Sequence, residues 1–173
     1  MIVKIATGLF EGRGLTLADD TKPGHGPLYF DDFTVGRVFP TAKTLITEAD
    51  TIAFASAYDP QPFHTDPVAA VDTFFGKHVA SGWHTVAATM RLMVEALPVA
   101  GGLIGAGVEN IRWPRPVVPG EELQARIEVE SARVSASRPG IGIVGIKVTT
   151  FNQDGDVVQT MHPRIVVPLR AAD

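Results

Sequence analysis

The apolar positions of this chain change period twice after residue 37. Arg37 to Ile46 alternates as a strand does, and Pro40 places that part at a sheet edge or bulge. Tyr29 to Gly36, just before it, reads as an ordered lead-in ending in a turn. Thr47-Glu48-Ala49-Asp50 has the spacing of an N-terminal capping box, with Asp in place of the usual Glu. Ile52, Ala53, Phe54 and Ala57 then give a short helix with an apolar stripe that stops near Tyr58. Asp66-Pro67 can start a second short helix, with Phe74 and Phe75 near its end and Gly76 closing it. Trp83 to Leu97 is apolar nearly all round, the mark of a buried central helix, and Pro98 and Gly101-Gly102 end it.

From Leu103 the period shortens again. Leu103–Trp113, Glu121–Ser135, Ile141–Asn152 and Val157–Val167 read as four strands. Pro119-Gly120 marks one turn, and Asp154-Gly155 is a hairpin signal. One strand, then helices, then four strands is an α+β order: an antiparallel sheet with one buried helix. The expected division is an N-terminal arm over residues 1–28 and a single domain over 29–173.

Composition narrows the function classes. At 173 residues, 45% apolar and 20% charged, the chain suits one domain with a sizeable core. A net charge of -4 and a pI near 5.7 argue against a nucleic-acid partner, which favours a basic face. The absence of cysteine removes disulfides and thiolate metal sites. The first residues show no signal-peptide pattern, and no stretch approaches the roughly 18 uninterrupted apolar residues of a membrane span. The expectation is a soluble cytoplasmic protein with no membrane partner.

The candidate chemistry lies between the first helix and the central one. In Asp59-Pro60-Gln61-Pro62-Phe63-His64, an acid and a histidine stand five residues apart with two prolines between them. Proline fixes φ and disfavours helix at the residue before it, so the segment reads as a stiff, non-helical loop. Such a loop holds a carboxylate and an imidazole in fixed relative positions, either for proton transfer or as a turn cap beside a hydrogen-bonded structural histidine. Ser81-Gly82 opens the central helix. The backbone N–H groups of Gly82 and Trp83 are either oxyanion donors at the positive end of the helix or the start of a plain N-cap with a packing glycine. His84 reads as a partly exposed residue of the helix start. His25, His78 and His162 have no metal-ligand spacing, so no metal is expected. Gly101 to Gly107 lacks the Lys-Ser/Thr of a phosphate loop and serves a helix end and a close-packed strand. Arg112, Arg115 and Lys77 read as solvated charges.

These residues resemble a known family. Tyr58 to Asp66 looks like the hydratase motif of MaoC-like dehydratases and (R)-specific enoyl-CoA hydratases, with Gln61-Pro62 where Asn-Pro is usual. Gly76 to Trp83 resembles the segment leading to that family's His-Gly-Met. Asn110 to Glu121 resembles its F-x-x-P-V-x-x-G-D strand and turn. The likeness spans roughly residues 29–168. It implies a hotdog fold, in which an antiparallel sheet wraps a long central helix, and a homodimer or larger homo-oligomer. It also implies reversible hydration of a trans-2-enoyl thioester to an (R)-3-hydroxyacyl thioester. Asp59 and His64 would hold one water; His64 would take its proton during attack on C3, and the Asp59 side would deliver a proton to C2. The Gly82 N–H would polarise the thioester carbonyl. Ser81, Trp83, Phe63 and Met90 are the expected substrate-binding positions. No cofactor is implied, and coenzyme A or an acyl-carrier protein enters with the substrate.

The chain departs from the family pattern where the substrate would sit. Ser81 and Trp83 replace the usual His and Met around Gly82, and Met90 stands where some enoyl-CoA hydratases of the family carry a serine. The alternatives to a hydratase are a hotdog thioesterase and a non-catalytic acyl-thioester-binding subunit, since one fold hosts several chemistries.

Overall fold

The computed structural model describes residues 26–171. Most of the expected N-terminal arm, His25 included, lies outside the described residues. In chain order the elements are β1 (Val38–Leu45), α1 (Glu48–Tyr58), α2 (Pro62–Thr65), α3 (Gly82–Ala96), β2 (Ile104–Arg112), β3 (Glu122–Val134), β4 (Ile141–Phe151) and β5 (Val157–Pro168). Single 3₁₀ turns lie over Phe30–Asp32 and Ala69–Asp72.

The five strands form one antiparallel sheet in the order β1-β3-β4-β5-β2. β1 and β2 follow one another among the strands yet occupy opposite edges. The helices between them must therefore cross the sheet, and α3 packs against β1 and β3. This is the hotdog arrangement implied by the resemblance. The core lies between α3 and the inward side chains of β3, β4 and β5: Leu92, Met93 and Leu97 meet Ile127, Ile146, Met161 and Ile165. Each such aliphatic side chain contributes about 1.5–3 kcal/mol when fully buried.

Local rules explain the element boundaries. Pro40 lies on the edge strand beside a bulge between Pro40 and Lys43, where a missing N–H is tolerated. There the Thr41 hydroxyl accepts the Ala125 N–H at 2.9 Å, replacing a ladder bond. Thr47 caps α1 through the Asp50 N–H at 3.0 Å. The Asp154-Gly155 turn is longer than a two-residue hairpin, because Asn152 Oδ1 accepts the N–H groups of Asp154 and Asp156.

Several expectations need correction. The helix expected from Asp66-Pro67 is only the 3₁₀ turn Ala69–Asp72, and the glycines expected in a close-packed strand stand on an open one. His64 does not sit on a non-helical loop. Pro62 occupies the first position of α2, a single helical turn that carries His64, because proline forbids helix before itself but tolerates a first turn. The buried positions of α1 are Thr51 and Ala55 rather than the Ile52-Phe54-Ala57 stripe, since Phe54 instead stacks on side chains at the surface. Finally, α3 is not covered on all sides. Trp83, Met90 and Val94 are 57%, 38% and 50% exposed and follow one another along a single face. The edge strand β2 is likewise open: Gly105 and Gly107 have nothing near them to pack on. Among the described residues, no helix is long and apolar enough to cross a membrane.

Candidate active site

Asp59 closes α1, and the proline bend then brings α2 back so that His64 faces it. His64 Nε2 lies 3.4 Å from Asp59 Oδ2. The other ring nitrogen settles the tautomer. His64 Nδ1 is 2.8 Å from the carbonyl oxygen of Val79, which only accepts, so Nδ1 carries the proton. In the neutral ring Nε2 therefore presents a lone pair toward Asp59.

The segment 78–81 holds this pair from behind. The Val79 N–H donates to the Phe63 carbonyl at 3.0 Å, and His78 Nε2 donates to the His64 carbonyl at 2.9 Å. Phe63 packs its ring against His64 at 4.5 Å and against Phe75 at 5.2 Å. His64 and His78 are both buried, so their positions are set by packing as well as hydrogen bonds.

Asp59 is gripped at both oxygens. Gln61 Nε2 donates to Oδ1 at 2.7 Å, and Ser81 Oγ donates to Oδ2 at 2.7 Å. Burial pushes the Asp59 carboxyl up. The hydrogen bonds from Ser81 and Gln61, with the charge of His64, outweigh burial and hold it below its ordinary value. A group held as an anion with two donors on it is arranged to accept, whereas the resemblance implied a proton delivered from this side.

Ser81 caps α3, and its oxygen accepts the Trp83 N–H at 3.2 Å. It has no exposed surface, so it stands behind the site, out of reach of a ligand. The Gly82 N–H is at the first position of α3, has no intrahelical acceptor, and has no hydrogen-bond partner among the described residues. A cavity of about 540 Å³ opens here, walled by Asp59, His64, Phe63, Gly82, Trp83 and Trp113. Met90 does not line it; two turns along α3, it lies on the helix's open face. His84 lies off the cavity too, stacked on Phe54 of α1 at 5.0 Å. Among the described residues no His, Cys, Asp or Glu cluster is placed to hold a metal ion.

Trp113 carries a part that the sequence reading did not assign. Its ring covers Gly82 and meets Trp83 edge to face at 5.9 Å. Its Nε1 donates to Gln159 Oε1 at 3.0 Å, and Gln159 Nε2 donates to Thr89 Oγ1 at 3.2 Å. Thr89 in turn meets Thr150 at 3.0 Å. Gln159, Thr89 and Thr150 have no exposure, so a buried polar chain fixes the indole from β5, α3 and β4. The available signal was weak: a Gln inside an apolar strand and two threonines at inward positions.

An antiparallel sheet crossed by one helix, with an acid–histidine pair ahead of that helix, defines a hotdog protein with a polar site at the helix N-terminus. Residues 32–151 match the MaoC like domain, and the chain belongs to the MaoC-like dehydratase family. A MaoC-like dehydratase structure from Rhodospirillum rubrum is 44% identical with a TM-score of 0.79, over 84% of this chain and 99% of that one. R-hydratase PhaJ1 from Pseudomonas aeruginosa is 25% identical with a TM-score of 0.70, over 85% of this chain and 93% of that one. The 3-hydroxyacyl-thioester dehydratase Z of Mycobacterium tuberculosis is 33% identical over 108 residues, 61% of this chain and 69% of the relative.

Proposed function

We propose that this chain catalyses the reversible hydration of a trans-2-enoyl thioester to a 3-hydroxyacyl thioester. The observation that carries the reading is the Asp59–His64 pair: Nε2 has a free lone pair 3.4 Å from a carboxylate oxygen, at the wall of a cavity that also contains Gly82. One water can touch both groups at that separation. His64 Nε2 takes its proton as the oxygen attacks C3, and the Gly82 N–H stabilises the charge that develops on the thioester oxygen. Holding the water fixed supplies the orientation that such an attack needs. The names of two relatives, an R-hydratase and a 3-hydroxyacyl-thioester dehydratase, support the same chemistry.

The acyl carrier is coenzyme A or an acyl-carrier protein, the acyl chain enters beside Phe63 and Trp83, and the setting is cytoplasmic. The working unit is a homodimer. Its support is the open face of α3 and the uncovered edge strand β2, which together leave apolar surface and ladder groups unpaired in a single chain.

The test is loss of enoyl absorbance on adding crotonyl-CoA. Falling absorbance with no release of free CoA is the expected result. Release of CoA instead would make the protein a thioesterase. Binding without either change would make it an acyl-thioester-binding subunit, and both outcomes overturn the proposal.

A further inference from the structure

Ser81 is fully buried, and its hydroxyl has two neighbours with fixed roles. The Trp83 N–H can only donate, so it occupies a lone pair of Ser81 Oγ at 3.2 Å. The single hydroxyl proton is then directed to Asp59 Oδ2 at 2.7 Å. Through this hydroxyl the N-terminus of α3 faces the carboxylate, and the positive end of the helix favours the anion. Gln61 Nε2 donates to the other oxygen at 2.7 Å. A proton added to Asp59 would weaken both of these bonds, which favour the charged form. His64 Nε2 carries no such load: its neighbour in the pair is Asp59 Oδ2, and its other ring nitrogen is anchored on Val79.

We propose that Ser81 is a positioning residue that fixes Asp59 as a standing carboxylate, so that His64 Nε2 alone carries the proton of the reaction. The proposal rests on the enoyl-thioester reading. The water oxygen bonds to C3 and the C2–C3 π pair moves toward C2 and into the thioester carbonyl. The water proton passes to Nε2. The same Nε2–H then protonates C2 as the carbonyl re-forms, and the protein ends in its starting protonation state. Asp59 stays ionised throughout and stabilises the imidazolium beside it. Ser81 therefore acts through Asp59 and does not touch substrate.

The experiment compares Ser81→Ala, Ser81→Gly and Ser81→Thr in the full chain. Glycine is tolerated at a helix N-cap at a cost of only a few tenths of a kcal/mol, so the second variant separates the hydroxyl from the cap. Carboxyl ¹³C NMR, with Asp59 assigned by its loss in Asp59→Asn, reads the Asp59 titration directly and needs no substrate. The expected result is an upward move of the Asp59 titration in Ser81→Ala and Ser81→Gly, as loss of a donor to the charged form gives. With crotonyl-CoA, kcat falls about tenfold or more and KM stays near its original value, because the carboxylate no longer holds the imidazolium of His64 in place. Ser81→Thr restores the titration and kcat. An Asp59 titration unmoved in both hydroxyl-free variants overturns the proposal, as does a shifted titration with an unchanged kcat. Wild-type protein that leaves enoyl thioesters untouched removes the hydratase reading instead, and the NMR result still decides whether Ser81 holds Asp59.

Discussion

The indole of Trp113 occupies the space that a side chain on Gly82 would need: a Cβ at Gly82 would stand 2.8 Å from Trp113 Cε2. The glycine at the head of α3 is thus required by packing, and the proposed carbonyl contact at its N–H would add a second requirement. The ring cannot yield freely, because Gln159 holds its Nε1. Gly82→Ala should destabilise the protein by about 1–3 kcal/mol, the usual cost of overpacking. It should also lower hydration, since the indole and the helix start shift together. In Gly82→Ala/Trp113→Ala the clash is gone. Denaturation should therefore show a double-mutant loss smaller than the sum of the single losses. Strict additivity would mean that the ring moves aside without strain.

Removing either member of the acid–histidine pair should stop chemistry and spare the fold. Asp59→Asn and His64→Ala should each lower hydration of crotonyl-CoA by roughly 10²–10⁴-fold, the range of general acid–base catalysis. Circular dichroism should remain that of the parent. Near-normal rates in both variants would show that the pair is structural.

The proposed homodimer gives a third prediction. Val94 is half exposed on the open face of α3, in line with Met90 and Trp83. A charge placed there would have to be desolvated in a dimer and would cost nothing in a monomer. Analytical ultracentrifugation should find a dimer for the parent and a shift toward monomer for Val94→Glu. A monomeric parent would refute the assembly.

Much of the fold was legible because its signals are local. The change from alternation to helical spacing and back placed all five strands to within two residues of their observed ends, and Pro40 announced the edge. Asp59 and His64 were legible because they stand five positions apart with two prolines between them. The hydrogen bond from Ser81 to Asp59 was not, since they stand twenty-two positions apart and only the return of α2 against segment 78–81 brings them together. The helical turn under His64 is not legible, because each proline disfavours helix at the residue before it while Pro62 itself opens a turn. The open face of α3 is not legible for a different reason: apolar residues all round a helix do not say which of its faces the rest of the chain packs against. Trp113 stood in plain view within a motif, but its partner Gln159 is a polar residue at a buried strand position, which periodicity alone treats as an exception.

That exception carries a fourth prediction. Gln159→Leu keeps the volume of the site and removes both of its hydrogen bonds, leaving Thr89 with Thr150 and Trp113 without its anchor. Stability should fall by about 1–3 kcal/mol, the cost of leaving buried polar partners unpaired. In a Trp83→Phe background Trp113 is the sole tryptophan, so its emission reports the ring directly. A red shift and a broader rotamer distribution should accompany the loss of stability. Unchanged emission would show that packing on Gly82, rather than the polar chain, holds the indole.

The last prediction concerns His84. Burial lowers its pKa and the Asp50 carboxylate raises it less, so the net shift is downward. Its Nδ1 is buried without a partner among the described residues, which suits the neutral form, and its ring is stacked on Phe54. The unfolded chain takes up a proton here near the ordinary value of about 6.5, while the folded chain does so only at lower pH. Between those two values the unfolded state binds more protons, so stability rises with pH across that window. This contribution is full above pH about 6.5 and is lost progressively as pH falls toward the lowered value. Urea unfolding from about pH 5 to 8 should show that slope. His84→Phe, which keeps an aromatic ring on Phe54 and cannot titrate, should flatten it, and the difference between the two curves isolates this histidine from His64, His78 and His162. An equal slope in both proteins would place the pH dependence elsewhere.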